Sequence, residues 1–229
     1  MGVMKLVTLC YHKVGSEAAE GRRLNIHPTR LDSHVRFFKR RGYRFVKGGD
    51  LKSWPTEKTV CFTFDDGFIS TIENGMPVFD RHLVPMSIYA VSSLVGKTSQ
   101  WEGELARPLA DWDKLREVQA AGHEIGNHTA THPFLDKLDI DEQAAEIHAC
   151  HSALQENGLR TDSFCFPYGR LNDDSVKALE SCAYKVGLAL GKRLPNEADP
   201  FLEIPRVVVA YGDAIPLLLY KLYLRPLLK

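Results

Sequence analysis

The stretch Val60-Cys61-Phe62-Thr63-Phe64-Asp65-Asp66-Gly67 decides the fold, because it reads as a buried strand that ends on two carboxylates. Its β-branched and aromatic residues favour a strand. Adjacent carboxylates raise one another's pKa unless a cation lies between them. One interpretation is a metal site in which one aspartate binds the ion and the other stays free as a base. The alternative is an ordinary Asp-Gly turn, and these residues alone do not decide between the two.

Strand-like and helix-like segments alternate along the whole chain. Residues 28–41 show the helical spacing of apolar side chains, whereas 13–23 and 92–109 are polar and read as loops. The alternation predicts an α/β protein with a parallel sheet and crossover helices. Seven or eight strands without a glycine-rich phosphate loop favour a barrel over an open dinucleotide-binding sheet. We expect a single domain over residues 1–212, followed by an apolar and basic segment, 213–229.

Polar side chains stand where the predicted strands end. In barrels of this class the chemistry lies at the carboxyl ends of the strands, so such residues are candidates for a functional site. They are His12, Asp65, Asp66, His128 and Tyr168.

Two histidines four residues apart, His128 and His132, can face one metal ion if they lie on a helical turn. A chance pair is the alternative. Together with Asp66 they make a His-His-Asp set that leaves coordination positions open, which suits zinc or a similar cation. Asp65, beside the ligand but not on it, is then placed to take a proton from water.

The composition is that of an ordinary globular protein of 229 residues, with 44% hydrophobic and 25% charged residues. Lys plus Arg and Asp plus Glu are both 29, so no overall field favours nucleic acid as a partner. Five widely spaced cysteines predict reduced, packing thiols rather than a disulfide framework. Neither a secretory signal nor a run of about 20 apolar residues is visible, so we expect a cytoplasmic protein.

Three motifs carry a resemblance to a known family. They are Thr63-Phe64-Asp65-Asp66-Gly67, Gly122-His123-Glu124-Ile125-Gly126-Asn127-His128-Thr129-Ala130-Thr131-His132-Pro133 and Phe166-Pro167-Tyr168-Gly169. In order and separation they resemble the polysaccharide deacetylase superfamily, that is, the NodB homology domain or carbohydrate esterase family 4. The resemblance implies a distorted (β/α)7-type barrel and metal-dependent removal of an N-acetyl or related acyl group from an amino sugar.

The resemblance also implies roles for particular residues. Asp65 is expected to be the catalytic base, and Asp66, His128 and His132 the ligands of a divalent metal. Zinc is the first expectation, with Co²⁺, Ni²⁺ or Mn²⁺ as alternatives. Tyr168 is expected to line the groove and to offer its backbone N–H to the oxyanion. The full set of expected substrate contacts is Tyr168, Pro167, Trp101 and Arg206.

Two departures from the family pattern matter. Many members have an arginine that orients the catalytic aspartate at the position of Cys165. Arg206, just before the predicted last strand at 207–210, is either its substitute or a surface residue. Many members also carry a C-terminal histidine as general acid, but no histidine follows His151. His12 is expected to fill that role, as in the similar poly-N-acetylglucosamine deacetylases, since a protonated imidazole suits donation to an amine.

The other histidines are expected to lie outside the site. His123 is interpreted as a packing residue near the barrel wall, with Glu124 in a salt bridge or hydrogen bond. Five more are expected at the surface: His27, His34, His82, His148 and His151.

The last fifteen residues, 215–229, combine leucines with Lys221, Arg225 and Lys229, which fall four apart and predict a basic ridge on a helix. The segment is either a closing helix packed on the barrel or a helix lying at a membrane surface. A cytoplasmic deacetylase would need a soluble or lipid-linked amino sugar rather than an extracellular polymer.

The leading hypothesis is therefore a metal-dependent N-deacetylase of an amino-sugar glycan or a lipid-linked saccharide. The alternatives are an O-acetyl esterase, a lipid-linked amino-sugar deformylase on the same site, and a catalytically silent carbohydrate-binding relative.

Overall fold

The computed structural model describes residues 5–228, which alternate between strands and helices as expected. The strands are β1 (Leu6–Tyr11), β2 (Lys13–Val14), β3 (Asn25–Ile26), β4 (Arg44–Val46), β5 (Thr59–Phe64), β6 (Ser87–Ala90), β7 (Glu124–Asn127), β8 (Phe164–Cys165), β9 (Gly187–Gly191) and β10 (Ile204–Val208). The helices are α1 (Glu17–Glu20), α2 (Pro28–Arg40), α3 (Met76–His82), α4 (Trp112–Ala120), α5 (Ile140–Glu156), α6 (Asp173–Ser181) and α7 (Ile215–Leu219).

Seven parallel strands close into a barrel, which confirms the predicted fold class. The ring runs β1, β10, β9, β8, β7, β6, β5 and back to β1. Its distortion lies at β5, where β4 pairs with the first half, Thr59–Cys61, and β6 pairs with Thr63 and Phe64. The eighth strand therefore lies beside the ring, and the barrel is of the (β/α)7 type.

Strand β5 is buried over its whole length, as parallel strands covered on both faces must be. Phe62 packs against Phe38 of α2 and Phe79 of α3, with ring centroids 5.8 and 5.4 Å apart. Because side chains alternate along a strand, Cys61 and Thr63 point the opposite way, into the barrel. One face of the strand thus packs against the helices, and the other faces the polar interior of the barrel.

The polar segment 13–23 is not simply a loop. Strand β2 pairs with β3, and α1 lies between them with Ser16 as its N-cap. The predicted last strand also begins earlier than expected, at Ile204, so Arg206 lies in its middle. A proline and an arginine interrupt the apolar run there, which hid the strand start from pattern analysis.

His34 is wholly buried, so the expectation of a surface position is wrong. It lies on the inner face of α2 with Leu31 and Phe38. Its Nδ1 is 3.0 Å from the Tyr11 hydroxyl, and its Nε2 is 2.7 Å from the Asp213 carbonyl oxygen. Burial lowers the pKa of His34 to about 4, so the ring is neutral and serves as a core hydrogen-bonding group.

The C-terminal segment is not one helix with a basic ridge. Helix α7 passes into a π-type turn, Tyr220–Leu224, and a 3₁₀ turn, Arg225–Leu227, that contains Pro226. Lys221 instead pairs with Asp213, and Lys229 lies outside the described residues.

The same segment has two apolar faces. Leu218 and Leu222 belong to the main core cluster. The outer side carries five exposed side chains: Leu217, Tyr220, Leu224, Leu227 and Leu228. Within residues 5–228, none of the helices has the length and apolar character needed to cross a bilayer. The boundary at residue 212 and peripheral membrane contact through 215–229 stay predictions.

Candidate metal centre and active site

Three candidate metal ligands meet at the carboxyl-terminal mouth of the barrel. Asp66 follows β5, and His128 and His132 follow β7. The Nε2 atoms of His128 and His132 lie 3.4 and 3.3 Å from Oδ1 of Asp66, and all three residues are buried. The structure thus brings together the three residues that the sequence singled out as ligands.

The spacing and chemistry of this trio fit a small divalent cation. Donors bonded to a tetrahedral zinc at about 2.0–2.1 Å lie roughly 3.3 Å from one another. Burial alone would raise the pKa of Asp66, but hydrogen bonds with His128 and His132 bring it well below its usual range. Burial lowers the pKa of His132, which favours the neutral imidazole that metals bind.

His128 and His132 lie in a loop, so the interpretation of their spacing as a helical turn is wrong. The φ angles of +68° at Thr129 and +65° at His132 belong to the left-handed region. Polar contacts fix this loop. The Asn127 side chain accepts a hydrogen bond from the Thr129 N–H, and the Thr129 hydroxyl accepts one from the His132 N–H. Glu146 of α5 accepts from the N–H groups of Ala130 and Thr131 in the middle of the loop.

Backbone strain is concentrated at the site. Left-handed conformations of non-glycine residues cost of order 1–3 kcal/mol each and persist only where the surroundings enforce them. Seven such residues occur between 5 and 228, and four of these belong to the site: Asp66, Thr129, His132 and Tyr168. The surrounding fold therefore holds the candidate ligands in place against their own local preferences.

The ring of His128 is oriented by a backbone contact. Its Nδ1 lies 2.7 Å from the carbonyl oxygen of Cys165, to which it donates a hydrogen bond. This contact engages Nδ1, and Nε2 is the nitrogen that faces Asp66. A carbonyl partner of this kind is the usual way in which a metal-binding imidazole is oriented.

Arg206 orients Asp65 from within the barrel. Its guanidinium donates to Oδ1 of Asp65 at 2.6 Å and to Oδ2 at 2.9 Å, and also to the Thr63 hydroxyl and the Ala189 carbonyl. Burial alone would raise the pKa of Asp65, but the charge and hydrogen bonds of Arg206 hold it well below its usual range. Asp65 is therefore ionised at neutral pH.

Both expectations that put Arg206 at an accessible position, as a surface residue or as a substrate contact, are wrong. The side chain is wholly buried. The Arg206 guanidinium lies 2.8 Å from the sulfur of Cys165, the residue that stands where the resemblance leads one to expect an arginine. Because the side chain at position 165 is small, the guanidinium of Arg206 can reach this space from β10.

Two other groups of donors lie near Asp65, but their chemistry disfavours a metal. One comprises Cys10, His12 and Asp65, and the other Asp65, His128 and Cys165, each with its atoms within 4.8 Å of one another. Arg206 already occupies both oxygens of Asp65. Burial and the neighbouring carboxylate raise the pKa of both thiols, so they stay protonated and bind metals weakly.

His12 lies on the Asp65 side of the site. It directly follows β1, is half-buried, and has a ring nitrogen within 4.8 Å of the Asp65 carboxylate. Its carbonyl oxygen accepts a hydrogen bond from Thr71. The two sequence candidates for proton transfer, His12 and Asp65, are therefore neighbours.

Aromatic side chains border the site. The ring of Trp101 stacks on His132 with centroids 4.1 Å apart, and Tyr168 stacks on Phe134 at 4.2 Å. Phe134 and Tyr168 are both exposed. Sequence analysis missed Phe134, although its position directly after the histidine motif is a usable signal. Pro167 is buried within the turn that carries Tyr168, and its expected contact with substrate stays a prediction.

His123 and Glu124 lie away from the site, as expected. His123 contacts Asp80 at 3.0 Å. Glu124 accepts hydrogen bonds from the hydroxyls of Ser87 and Ser163 and from the Gly49 N–H inside the barrel. Burial raises the pKa of Glu124, and these three donors satisfy its carboxyl group.

The comparison with protein families decides the assignment. The model of the family described as polysaccharide deacetylase matches residues 52–187. The chain belongs to this family. Membership confirms the predicted enzyme class, a carbohydrate deacetylase among the hydrolases of amide bonds.

Relatives extend the similarity of this deacetylase family member beyond the matched region. YxkH of Bacillus subtilis (strain 168), provisionally named a polysaccharide deacetylase, is 24% identical over 216 residues, covering 91% of this chain and 72% of YxkH. The poly-β-1,6-N-acetyl-D-glucosamine N-deacetylase of Escherichia coli (strain K12) is 25% identical over 254 residues. That alignment covers 91% of this chain but only 37% of the relative's length.

A solved structure shows the same fold. Streptococcus pyogenes deacetylase PplD, determined in complex with acetate, superposes with a TM-score of 0.79 at 21% identity. The superposition covers 95% of this chain and 98% of PplD. It supports the barrel assignment over almost the whole chain.

Replacing Arg206 with methionine is expected to destabilise the metal-free protein by about 3–5 kcal/mol at pH 7, because a buried carboxylate loses its partner. Asp65 then becomes protonated more easily. Protonation removes the unpaired buried charge and so stabilises the variant as the pH falls. The wild type keeps the contribution of its ionised carboxylate down to the unfolded pKa of about 4. The difference in unfolding free energy between the two should therefore shrink as the pH falls toward that value. Urea unfolding at pH 7 and pH 4.5, with chelator present, measures both effects.

Arg193→Met is the matched control, because Arg193 pairs with Asp199 at the surface. Its cost should stay below about 1 kcal/mol. Equal losses in the two variants, or a deficit for Arg206→Met that does not change with pH, would contradict the role of Arg206.

Proposed function

We propose that the chain removes an N-acetyl or related N-acyl group from an amino sugar in a glycan or glycan precursor, with the help of a divalent metal. One observation carries the proposal. The two adjacent aspartates have different partners, since Arg206 pairs with Asp65 while His128 and His132 face Asp66. One carboxylate is thus available to a metal and its neighbour to a proton.

The relatives support an amino sugar as the substrate class. The E. coli relative is named for N-deacetylation of a polymer of N-acetylglucosamine. In this chain the exposed rings of Tyr168 and Phe134 and the half-buried Trp101 offer apolar faces at the rim of the site. Such faces suit a sugar ring, whose C–H groups pack against aromatic surfaces.

Asp66, His128 and His132 would hold the metal, with zinc preferred because two imidazoles and one carboxylate form a common zinc set. Cobalt, nickel or manganese could occupy the same donors. When bound, the cation supplies Lewis acidity, which makes water more acidic and polarises an acyl carbonyl.

Asp65 accepts the proton of the attacking water. Arg206 fixes both carboxylate oxygens, and Cys10 donates a further hydrogen bond to Oδ2 at 3.3 Å. Because these contacts keep the pKa of Asp65 low, the carboxylate is ionised throughout the neutral range. It is a weak base, so it acts only on water that has already been made acidic.

His12 donates a proton to the departing amine. An amine leaves poorly unless it is protonated as the C–N bond breaks, and imidazolium is a suitable donor near neutral pH. The position of His12 beside Asp65 allows the acid and the base to act on one substrate.

The backbone N–H of Tyr168 is the proposed oxyanion donor. The turn that carries it, Pro167–Gly169, has Tyr168 at a φ of +59°, and Gly169 packs closely on Leu190 of β9. A fixed donor of this kind is worth about 3–4 kcal/mol in enzymes where it has been removed.

Intact pairing argues against a catalytically silent relative. Asp65, Asp66, His128 and His132 are all present and buried, with Asp65 paired to Arg206 and Asp66 to the two histidines. The same site could hydrolyse an O-acetyl ester or deformylate a lipid-linked amino sugar. Release of acetate or formate from soluble, polymeric and lipid-linked amino sugars, compared with O-acetylated sugars, separates these substrates.

Asp65→Asn and Asp66→Asn should fail in different ways. Loss of the base should reduce acetate release from an N-acetylated amino sugar by about 10²–10⁴-fold while metal content is unchanged. Loss of the ligand should reduce the metal content itself. Metal analysis by mass spectrometry beside an acetate-release assay checks both. Asp80→Asn, at a carboxylate away from the site, is the control, and wild-type activity in Asp65→Asn would sink the assignment of the base.

His12→Gln should discriminate between leaving groups. We expect a loss of about 10²-fold or more on an acetamido sugar. The effect should be much smaller on an acetyl ester of nitrophenol, because that leaving group needs no proton. The exposed His27 supplies the control variant His27→Gln. Equal losses on both substrates would show that His12 is not the acid.

A further inference from the structure

The two histidines of the site are oriented in different ways. His128 donates from Nδ1 to the Cys165 carbonyl, but Nδ1 of His132 is buried and has no hydrogen-bond partner among the described residues. The contact that usually fixes the ring of a metal-binding histidine is therefore missing at His132. Something other than a hydrogen bond at Nδ1 must orient this ring so that Nε2 faces Asp66.

Stacking takes the place of the hydrogen bond. The rings of Trp101 and His132 are 4.1 Å apart and within 22° of parallel. Tyr168 meets the same imidazole from another direction, 4.5 Å away and inclined by 61°. The two aromatic side chains confine the ring, and Trp101 covers one of its faces.

Trp101 belongs to a turn that is largely exposed. Four of the six residues of this 3₁₀ turn, Gln100–Leu105, are exposed, and Trp101 and Glu102 are the two that are partly buried. Its anchor is the carboxylate of Glu102, which lies 3.0 and 3.2 Å from the ammonium nitrogen of Lys13 and also accepts a hydrogen bond from Ser99.

The Lys13–Glu102 ion pair is almost completely shielded from water. The two side chains are only 2% and 4% exposed, and the ammonium group lies over the ring of Phe68. A buried pair of this kind adds little net stability, because removing two charges from water costs about as much as their attraction returns. Its effect is on position, since neither charge can leave without exposing or stranding the other.

We propose that the Lys13–Glu102 pair is a latch that seats Trp101 on His132, so that Lys13, Glu102 and Trp101 are positioning residues of the metal centre. Lys13 directly follows His12. The latch therefore also joins the segment that carries the proposed acid to the loop that covers the metal ligand. The inference rests on the proposed function in one respect only, namely that His132 binds the metal.

The seating itself is tested without metal. In a Trp54→Phe/Trp112→Phe background, Trp101 is the only tryptophan. Lys13→Met should strand the buried carboxylate, move the turn toward solvent and increase acrylamide quenching of Trp101 fluorescence at least twofold. Glu104→Gln, a change at an exposed residue of the same turn, should leave quenching unchanged. Unchanged quenching in Lys13→Met would overturn the latch.

A double-mutant cycle tests the consequence for the metal. Trp101→Leu and Lys13→Met should each weaken zinc binding about tenfold in a chelator competition, the effect expected when the support of a ligand is lost. The double variant should be no weaker than Trp101→Leu alone, because the latch acts through that ring. Circular dichroism and thermal unfolding confirm that each variant is folded.

The outcomes of the two tests are distinguishable. Additive losses of zinc affinity, or unchanged affinity in Trp101→Leu, would overturn the inference while leaving the proposed function intact. A wild-type chain that binds no divalent metal would contradict the proposed function instead. In that case the acrylamide measurement still decides whether the ion pair seats Trp101.

Discussion

A buried pair of charges, Arg206 with Asp65, holds two neighbouring carboxylates in different environments. Both aspartates are shielded from water, and without cations one of them would have to take up a proton. Arg206 satisfies both oxygens of Asp65, and two imidazoles face Asp66. The proposed division of labour, a base beside a ligand, depends on this separation. Breaking it would leave an uncompensated charge in the barrel, which is among the most costly single changes in a protein.

The barrel supplies the geometry that this pair requires. Closure of the ring brings β10 next to β1, and β1 next to β5, so Arg206 can reach a carboxylate 141 positions earlier in the chain. Small thiol side chains at positions 10 and 165 leave room for the guanidinium. The strained backbone at Asp66, His132 and Tyr168 is then held by the surrounding fold. The site is thus assembled by long-range topology more than by any local motif.

The sequence was sufficient to predict the barrel, most of its strands and the convergence of Asp66, His128 and His132, because these depend on periodic apolar runs and motif spacing. It was not sufficient where one distant contact decides the outcome. The burial of Arg206 depends on Asp65, and that of His34 depends on Tyr11 and Asp213. The prediction of a basic ridge on the C-terminal segment is wrong for the same reason, since Lys221 turns inward to Asp213. A polar residue on an apolar face cannot be placed until its partner is known.

The most direct test of this account is an anomalous difference map, recorded at the zinc absorption edge, from crystals grown with zinc. We predict one peak within bonding distance of Asp66, His128 and His132, with both oxygens of Asp65 still bound to Arg206. A peak bonded to Asp65, or one lying among Cys10, His12 and Asp65, would contradict the separation of the two aspartates on which the proposed mechanism depends.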